Sequence, residues 1–136
     1  MGQCPFCNIV RGRMEALRIY EDRDILCVLD LHPISRGHCL IMPKQHYADI
    51  FVVPPRILGR MMGAAQIIAQ LLRRRLGATG VNILHASGRD AQQSIPHLHL
   101  HLVPRYPRDK LDAWPKTSYK EKNLPDVFAT VAEPGR

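Results

Sequence analysis

Residues 94–105 read SIPHLHLHLVPR, and this stretch carries the strongest structural signal in the chain. Its three histidines, His97, His99 and His101, alternate with leucines at i, i+2 and i+4. Successive side chains of a β-strand point to opposite faces, so a strand over residues 98–103 presents imidazoles on one face and leucines on the other. A solvated polar face is the simpler explanation, but three groups that titrate near neutral pH on one face favour a chemical site.

The length of 136 residues suits one domain with a hydrophobic core of its own. No uninterrupted apolar run approaches the length of a transmembrane helix, and the first residues lack a signal-peptide pattern. The four cysteines are therefore expected to be reduced rather than paired in disulfides. These features predict a cytoplasmic protein with no membrane partner.

The net charge of +7 is unevenly distributed along the chain. Residues 51–136 hold thirteen Lys or Arg against six Asp or Glu, whereas residues 1–50 hold six of each. An excess of positive charge suits a ligand that carries phosphate. No basic patch interleaved with aromatic residues is present, so nucleic acid is not an expected partner.

Apolar patterning divides the chain into strands, one long helix and connecting turns. A helical stripe runs from Leu58 to Leu76, with prolines at 54 and 55 near its start and Gly77 at its end. The proline-rich residues 107–136 are expected to form a strap over the body, held in place by Trp114. Strands are predicted at residues 19–20, 25–31, 38–42, 80–85 and 98–103. This order indicates an α+β domain with an antiparallel sheet.

Further residues surround the triple histidine pattern at distinctive offsets. Asp30 ends a predicted strand, His38 opens the segment HCLIMPKQH at residues 38–46, and Gln93 and Ser94 precede the histidines. Two apolar residues follow His101. With these motifs together, the chain resembles the histidine triad (HIT) family, in its zinc-containing bacterial form, over nearly its whole length.

The resemblance implies a single HIT domain over residues 1–136. Its fold is a five-stranded antiparallel sheet with a long helix and a short helix packed on it. Residues 1–15 are implied to be an N-terminal segment anchored by zinc, and residues 107–136 the C-terminal strap. Members of the family usually pair as homodimers through the long helix and a strand.

The resemblance also implies a nucleotide-binding hydrolase that cleaves at the α-phosphorus of purine nucleotides. His99 is the implied nucleophile, which forms a covalent nucleotidyl-histidine that water then hydrolyses. His101 and His38 are placed around the phosphate, where imidazolium N–H groups would stabilise the developing charge. Ser94 is expected to donate to the phosphate or to the leaving-group oxygen, with Gln93 beside it.

The nucleoside side of the implied site involves Asp30, whose carboxylate would bond the ribose hydroxyls, although a strand-end turn carboxylate is the alternative. Val28 and Leu31 occupy positions where the family lines its base pocket. The chain departs from the family in the loop before the histidines, where Ala86 stands at a position that many relatives fill with asparagine. His85 or Ser87 would then have to supply the contact to the phosphate or leaving group that the asparagine makes in those relatives. Pro96 also replaces a bulky residue that usually precedes the histidines.

Cys4 and Cys7 form a C-x2-C pair, which is one half of a tetrahedral zinc site or a redox pair. No βαβ pattern follows, as a redox pair would require. By resemblance to related HIT proteins and to the galactose-1-phosphate uridylyltransferases, His46 and His97 complete the set. Cys2His2 is a closed structural arrangement, so the zinc would anchor the N-terminus and His97 would take no part in proton transfer.

Three classes of function remain open from the sequence. The leading one is hydrolysis of phosphoramidates and other conjugates of AMP, and a close alternative is a dinucleoside polyphosphate hydrolase or phosphorylase. The positive charge after residue 51 slightly favours the longer polyphosphate. The other classes are a non-catalytic nucleotide-binding or interaction module and a structural metal-binding protein.

Overall fold

The computed structural model describes residues 3–133. Five strands form one sheet in the order β1-β2-β3-β5-β4, and each strand is antiparallel to its neighbours. The predicted α+β class and five-stranded antiparallel sheet are therefore confirmed. The elements, in chain order, are α1 (Pro5–Val10), β1 (Arg18–Glu21), β2 (Ile25–Leu29), β3 (Cys39–Pro43), α2 (Pro55–Leu76), β4 (Gly80–His85), β5 (Leu100–Arg105) and α3 (Leu124–Val131), with a 3-10 turn at Arg89–Ala91.

The alternation of the 94–105 stretch holds, but the regular strand begins later than predicted. β5 starts at Leu100, and His97 and His99 lie in the extended segment before it. Pro96 cannot donate to a ladder, and the His97 N–H bonds the carbonyl of Ile95 at 2.8 Å, which makes a turn there. Instead, the Leu98 N–H donates to the carbonyl of Tyr47 at 2.7 Å, and the Leu98 side chain stays in the main core.

The leucine face lies in the main core beneath α2. Leu98, Leu100 and Leu102 are buried in one cluster with the apolar face of the helix. As predicted, the helix runs to Leu76 and ends at Gly77, whose φ of 73° is left-handed. The buried positions of α2 recur at helical spacing, as Ile57, Met61, Ala64, Ala65, Ile68 and Leu72.

The opposite face of the sheet is covered by α1. Phe6 and Ile9 of this short helix are buried in a second cluster with apolar residues of β2 and β3, namely Leu26, Val28, Leu40 and Met42. Cys4 caps the helix by accepting from the Cys7 N–H at 3.4 Å. Because α1 lies on the histidine face, residues near the N-terminus reach His97 and His99, which come about ninety positions later.

The C-terminal segment is less closely packed than the predicted strap. Trp114 is 79% exposed, so the expectation that it holds the segment in place is wrong. The apolar side chains of α3 are also exposed, as Leu124, Val127, Phe128 and Val131. Among residues 3–133, no helix is both long and apolar enough to cross a membrane.

Candidate functional site

His99 lies at the centre of the histidine face and is 5% exposed. Its Nδ1 is 2.8 Å from the carbonyl oxygen of His97. A carbonyl can only accept, so Nδ1 carries the proton and Nε2 of the neutral ring keeps its lone pair. Burial lowers the pKa of His99, which favours this neutral form. The ring also packs against the ring of Phe6 in a T-shaped arrangement, with the two centroids 5.0 Å apart.

A hydrogen-bonded relay connects the loop before β3 to His101. The N–H of Ile34 donates to Nδ1 of His38 at 3.1 Å, so neutral His38 carries its proton on Nε2. That Nε2–H lies 3.0 Å from Nδ1 of His101, which must accept it. Neutral His101 therefore carries its own proton on Nε2. The backbone of Ile34 thus fixes the tautomers of both rings.

Burial has a larger effect than nearby charges on the pKa values of His38 and His101. It lowers the pKa of His38 despite the opposing carboxylate of Asp30, whose Oδ2 is 3.5 Å from Nε2 of His38. Burial and the neighbouring histidines lower the pKa of His101 to about 4. Both rings are neutral at pH 7, which differs from the imidazolium donors expected from the sequence.

The turn between β2 and β3 sets the position of His38. Gly37 has a φ of 91°, and a Cβ there would lie 2.7 Å from a side-chain carbon of Leu76. Only glycine suits this combination of backbone conformation and close approach. In the same turn, Asp30 accepts the N–H of His32 through Oδ1 at 2.8 Å. Asp30 therefore has a turn-forming oxygen and a second one directed towards His38.

Two apolar residues near Asp30 were predicted to line a base pocket, and only one reaches an open surface. Leu31 is 74% exposed and borders a cleft formed with residues 12–18. Val28 is 2% exposed and lies in the core against α1. The open cleft next to Leu31 is therefore formed by the segment after α1.

The loop before the histidines is held together by Gln93. Its Oε1 accepts the N–H of Gly88 at 2.9 Å, while its Nε2 donates to the carbonyls of Ala48 and Ile95 at 2.8 and 3.0 Å. The side chain predicted to lie beside a phosphate is thus engaged in shaping the loop. Ser94, which follows it, is exposed to solvent.

His85 and Ser87, which flank Ala86, contact one another. Nε2 of His85 is 2.5 Å from Oγ of Ser87, and Nδ1 of His85 is 2.9 Å from the carbonyl oxygen of His99. The sequence suggested these residues as substitutes for an asparagine, but it gave no indication of the contact with His99. The contact of Phe6 with His99 was also missed. The contact between His85 and His99 follows from the register of β4 and β5, in which His85 pairs with Leu100.

A second cluster joins the N-terminus to the first histidine of the motif. The thiols of Cys4 and Cys7 lie 3.4 and 3.6 Å from Nδ1 of His97, and Nδ1 of His46 is 3.4 Å from the Cys7 sulfur. The two Nδ1 atoms are 3.2 Å apart. All four donor atoms lie within 4.8 Å of one another. The structure therefore brings together the four residues predicted to bind zinc.

The donor set of this cluster fits a tetrahedral zinc ion. With ordinary Zn–S and Zn–N bonds, tetrahedral ligand atoms stand about 3.6 Å apart for sulfur and nitrogen and about 3.4 Å for two nitrogens. Nε2 of His97 lies 2.9 Å from the carbonyl of Pro43, so its proton is on that side and the Nδ1 lone pair faces the thiols. Burial lowers the pKa of His97 to about 4. Burial and the neighbouring Cys4 raise the pKa of Cys7, so a thiolate pair here calls for a cation.

Comparison with known proteins identifies relatives of this arrangement. The profile of the HIT domain matches residues 11–108. Adenylylsulfatase HINT3 of Arabidopsis thaliana is 38% identical over 121 residues, which cover 89% of this chain but only 60% of that protein. The chain thus spans less than two thirds of that relative's length.

Solved structures share the fold as well as the sequence. A zinc-bound histidine triad family protein from Mycobacterium smegmatis is 43% identical, with a TM-score of 0.80 over 82% of this chain and 81% of the other. A HIT family protein from Bacillus anthracis is 33% identical, with a TM-score of 0.84 over 95% and 94% of the two chains. From the profile match and these shared folds, we conclude that the chain belongs to the HIT domain family.

Proposed function

We propose that this protein is a nucleotidyl hydrolase that acts at the α-phosphorus of purine nucleoside monophosphate derivatives, such as phosphoramidates and other conjugates of AMP. The observation that carries the proposal is the fixed tautomer of His99. Because its Nδ1–H is bonded to the His97 carbonyl, the Nε2 lone pair is available to attack phosphorus at neutral pH. A pure binding module would not need an imidazole held in this form.

The proposed reaction has two displacement steps. In the first, Nε2 of His99 forms a bond to the α-phosphorus, and the leaving group departs with the electrons of its own bond to phosphorus and takes up a proton from solvent water. The His97 carbonyl still accepts the Nδ1–H of the ring, which is cationic in the intermediate. In the second step, water attacks phosphorus and gives up a proton to solvent, the P–N bond breaks and its electrons return to Nε2 of His99 as the lone pair.

The remaining residues bind and orient the nucleotide in this proposal. The Nε2–H of His101 donates to a phosphate oxygen, and His38 holds His101 in the tautomer that allows this. Ser94 donates to the phosphate or to the leaving group. Asp30 bonds the ribose hydroxyls, and the base occupies the cleft bordered by Leu31. Val28 supports the site from within the core, and Gln93 supports it by holding the loop before the histidines.

The leaving group is the least constrained part of the proposal. The relative HINT3 is named an adenylylsulfatase. That likeness favours conjugates of AMP. A second candidate, a dinucleoside polyphosphate hydrolase or phosphorylase, is favoured by the net charge of +7.

We also propose that Cys4, Cys7, His46 and His97 bind a structural zinc ion. The donor distances and the tautomer of His97 support it, as does the zinc-bound relative from Mycobacterium smegmatis. The ion would supply a closed tetrahedral link between the N-terminal segment 1–15 and the site. Residues 1–2 of that segment, and residues 134–136 of the C-terminal strap 107–136, lie outside the described residues.

A homodimer formed through α2 and β4 is the third part of the proposal. β4 is an edge strand of the sheet, and its Val81 and Ile83 are each 39% exposed. On α2, Met62 and Ile67 are 49% and 50% exposed. Pairing of two such edges would extend the sheet and cover these apolar side chains. Sedimentation equilibrium of the protein checks this arrangement.

The test of the reaction is AMP release from adenosine 5′-phosphoramidate by the native protein, by His99→Ala and by the control His32→Ala, which changes an exposed histidine. We expect release by the native protein and the control, and a loss on the order of 10⁴-fold or more in His99→Ala. AMP binding by all three, measured calorimetrically, establishes that each is folded. Release by His99→Ala at the native rate would contradict the proposal. Diadenosine tetraphosphate with and without added phosphate tests the second candidate.

A further inference from the structure

A fourth histidine, outside the triple motif, contacts the backbone of the proposed nucleophile. His85 is the last residue of β4, and Nδ1 of its ring is 2.9 Å from the carbonyl oxygen of His99. β5 begins at Leu100, and the ladder with β4 pairs His85 with Leu100. The His99 carbonyl lies just beyond this ladder. The His99 carbonyl therefore accepts a hydrogen bond from the His85 side chain, where a continued ladder would provide a backbone N–H.

The neighbours of His85 fix the direction of every hydrogen bond in this chain of contacts. The carbonyl of His99 can only accept, so Nδ1 of His85 carries a proton. Oγ of Ser87 accepts the N–H of Ile50 at 2.9 Å and donates its own proton to Nε2 of His85 at 2.5 Å. One tautomer of neutral His85 satisfies both contacts. Ser87 thus orients His85, and the backbone of Ile50 orients Ser87.

This arrangement argues against a direct role of His85 or Ser87 at the leaving group. Both ring nitrogens of His85 and the hydroxyl of Ser87 already have partners within the protein. Ala86, between them, has no polar side-chain atom with which to contact a phosphate. What these residues do instead is fix the backbone from which the nucleophile projects.

The consequence for His99 is that it is held at two points. Its ring is held by the His97 carbonyl, and its own carbonyl is held by His85. A displacement at phosphorus needs the attacking nitrogen in line with the departing bond, and a misplacement of about 1 Å costs on the order of 10²-fold in rate. The precision of the Nε2 position therefore depends on both contacts.

We propose that His85 is a positioning residue for the nucleophile, and that Ser87 fixes the tautomer in which His85 acts. This inference rests on the proposed function, because it concerns the same reacting nitrogen. His85 touches neither substrate nor phosphorus. Its loss should therefore lower kcat while leaving substrate affinity nearly unchanged.

The kinetic experiment uses His85→Phe, which keeps a ring but removes both nitrogens, and His85→Gln, whose side-chain amide can still donate to the His99 carbonyl. With adenosine 5′-phosphoramidate as substrate, we expect kcat to fall about 10- to 100-fold in His85→Phe, with KM within about twofold of the native value. His85→Gln should recover most of kcat, and Ser87→Ala should fall between them. Thermal unfolding of each variant establishes that it is folded.

A second readout does not depend on turnover. The carbonyl carbon of His99, labelled with ¹³C, should shift upfield in His85→Phe because it loses a hydrogen bond, and should stay near its native position in His85→Gln. An active native protein with an unchanged kcat in His85→Phe, or with a raised KM alone, would overturn the inference. If the native protein has no hydrolytic activity, the proposed function fails, and an unchanged carbonyl shift in His85→Phe would separately overturn the contact.

Discussion

Two clusters of histidine and other donor side chains flank His99, and they have opposite arrangements of protons. In each cluster the donor atoms lie within 4.8 Å of one another. The first presents lone pairs to a common centre, and the second presents N–H groups along a relay. Their members are Cys4, Cys7, His46 and His97 in the first, and Asp30, His38 and His101 in the second.

A single backbone contact accounts for the difference in each case. In the first cluster, the Pro43 carbonyl accepts from Nε2 of His97, so Nδ1 faces the thiols with its lone pair. In the second, the Ile34 N–H donates to Nδ1 of His38, so Nε2 keeps its hydrogen and cannot donate a lone pair to a cation. The first cluster therefore suits a metal ion, whereas in the second the Nε2–H of His101 is left to donate to an anionic oxygen.

The largest expected effect comes from breaking the first cluster. Cys7→Ser should lose bound zinc and lower the free energy of unfolding by at least about 4 kcal/mol, because α1 loses its link to His46 and His97. Metal analysis and chemical denaturation measure both. The matched control is Cys39→Ser, at a buried thiol outside the cluster, which should keep one zinc ion per chain. Equal zinc content in the two variants would mean that the cluster does not bind the ion.

Breaking the second cluster should affect the reaction and leave the metal in place. His101→Asn keeps an acceptor for the Nε2–H of His38 but removes the donor proposed to face the phosphate. We expect kcat/KM for adenosine 5′-phosphoramidate to fall about 100-fold, with zinc content unchanged. Steady-state kinetics and metal analysis on the same preparation check it. Loss of zinc in this variant would contradict the separation of the two clusters.

The smallest expected effect is a pH dependence that belongs to the second cluster. The pKa of His101 is about 4 in the folded protein, below its ordinary 6.5, so the unfolded chain binds more protons between these values. The free energy of unfolding should therefore fall as the pH is lowered from 6.5 towards 4. Between pH 7 and pH 5 we expect this loss to be about 2 kcal/mol greater in the native protein than in His101→Asn. Urea denaturation at the two pH values measures it, and equal losses would assign the effect to other groups.

The sequence predicted the fold well where a local pattern had a physical period. The apolar stripe of α2, its end at Gly77 and the alternation through residues 94–105 all follow from helix and strand geometry. The start of β5 and the position of Trp114 were mispredicted. Hydrogen-bond partners and packing of distant segments decide both, and neither leaves a periodic signal in the chain.

The candidate site was predictable to a similar extent. The sequence determined which residue types are available and, through the family resemblance, that Cys4 and Cys7 belong with His46 and His97. The location of each proton was decided only by the tertiary structure, through carbonyls and N–H groups of His97, Pro43 and Ile34. Every residue type except proline carries the same two backbone groups, so no sequence pattern indicates which will meet a given imidazole. Folding alone selects these contacts, and they distinguish the proposed nucleophile, the proposed metal ligand and the proposed phosphate donor among histidines two residues apart.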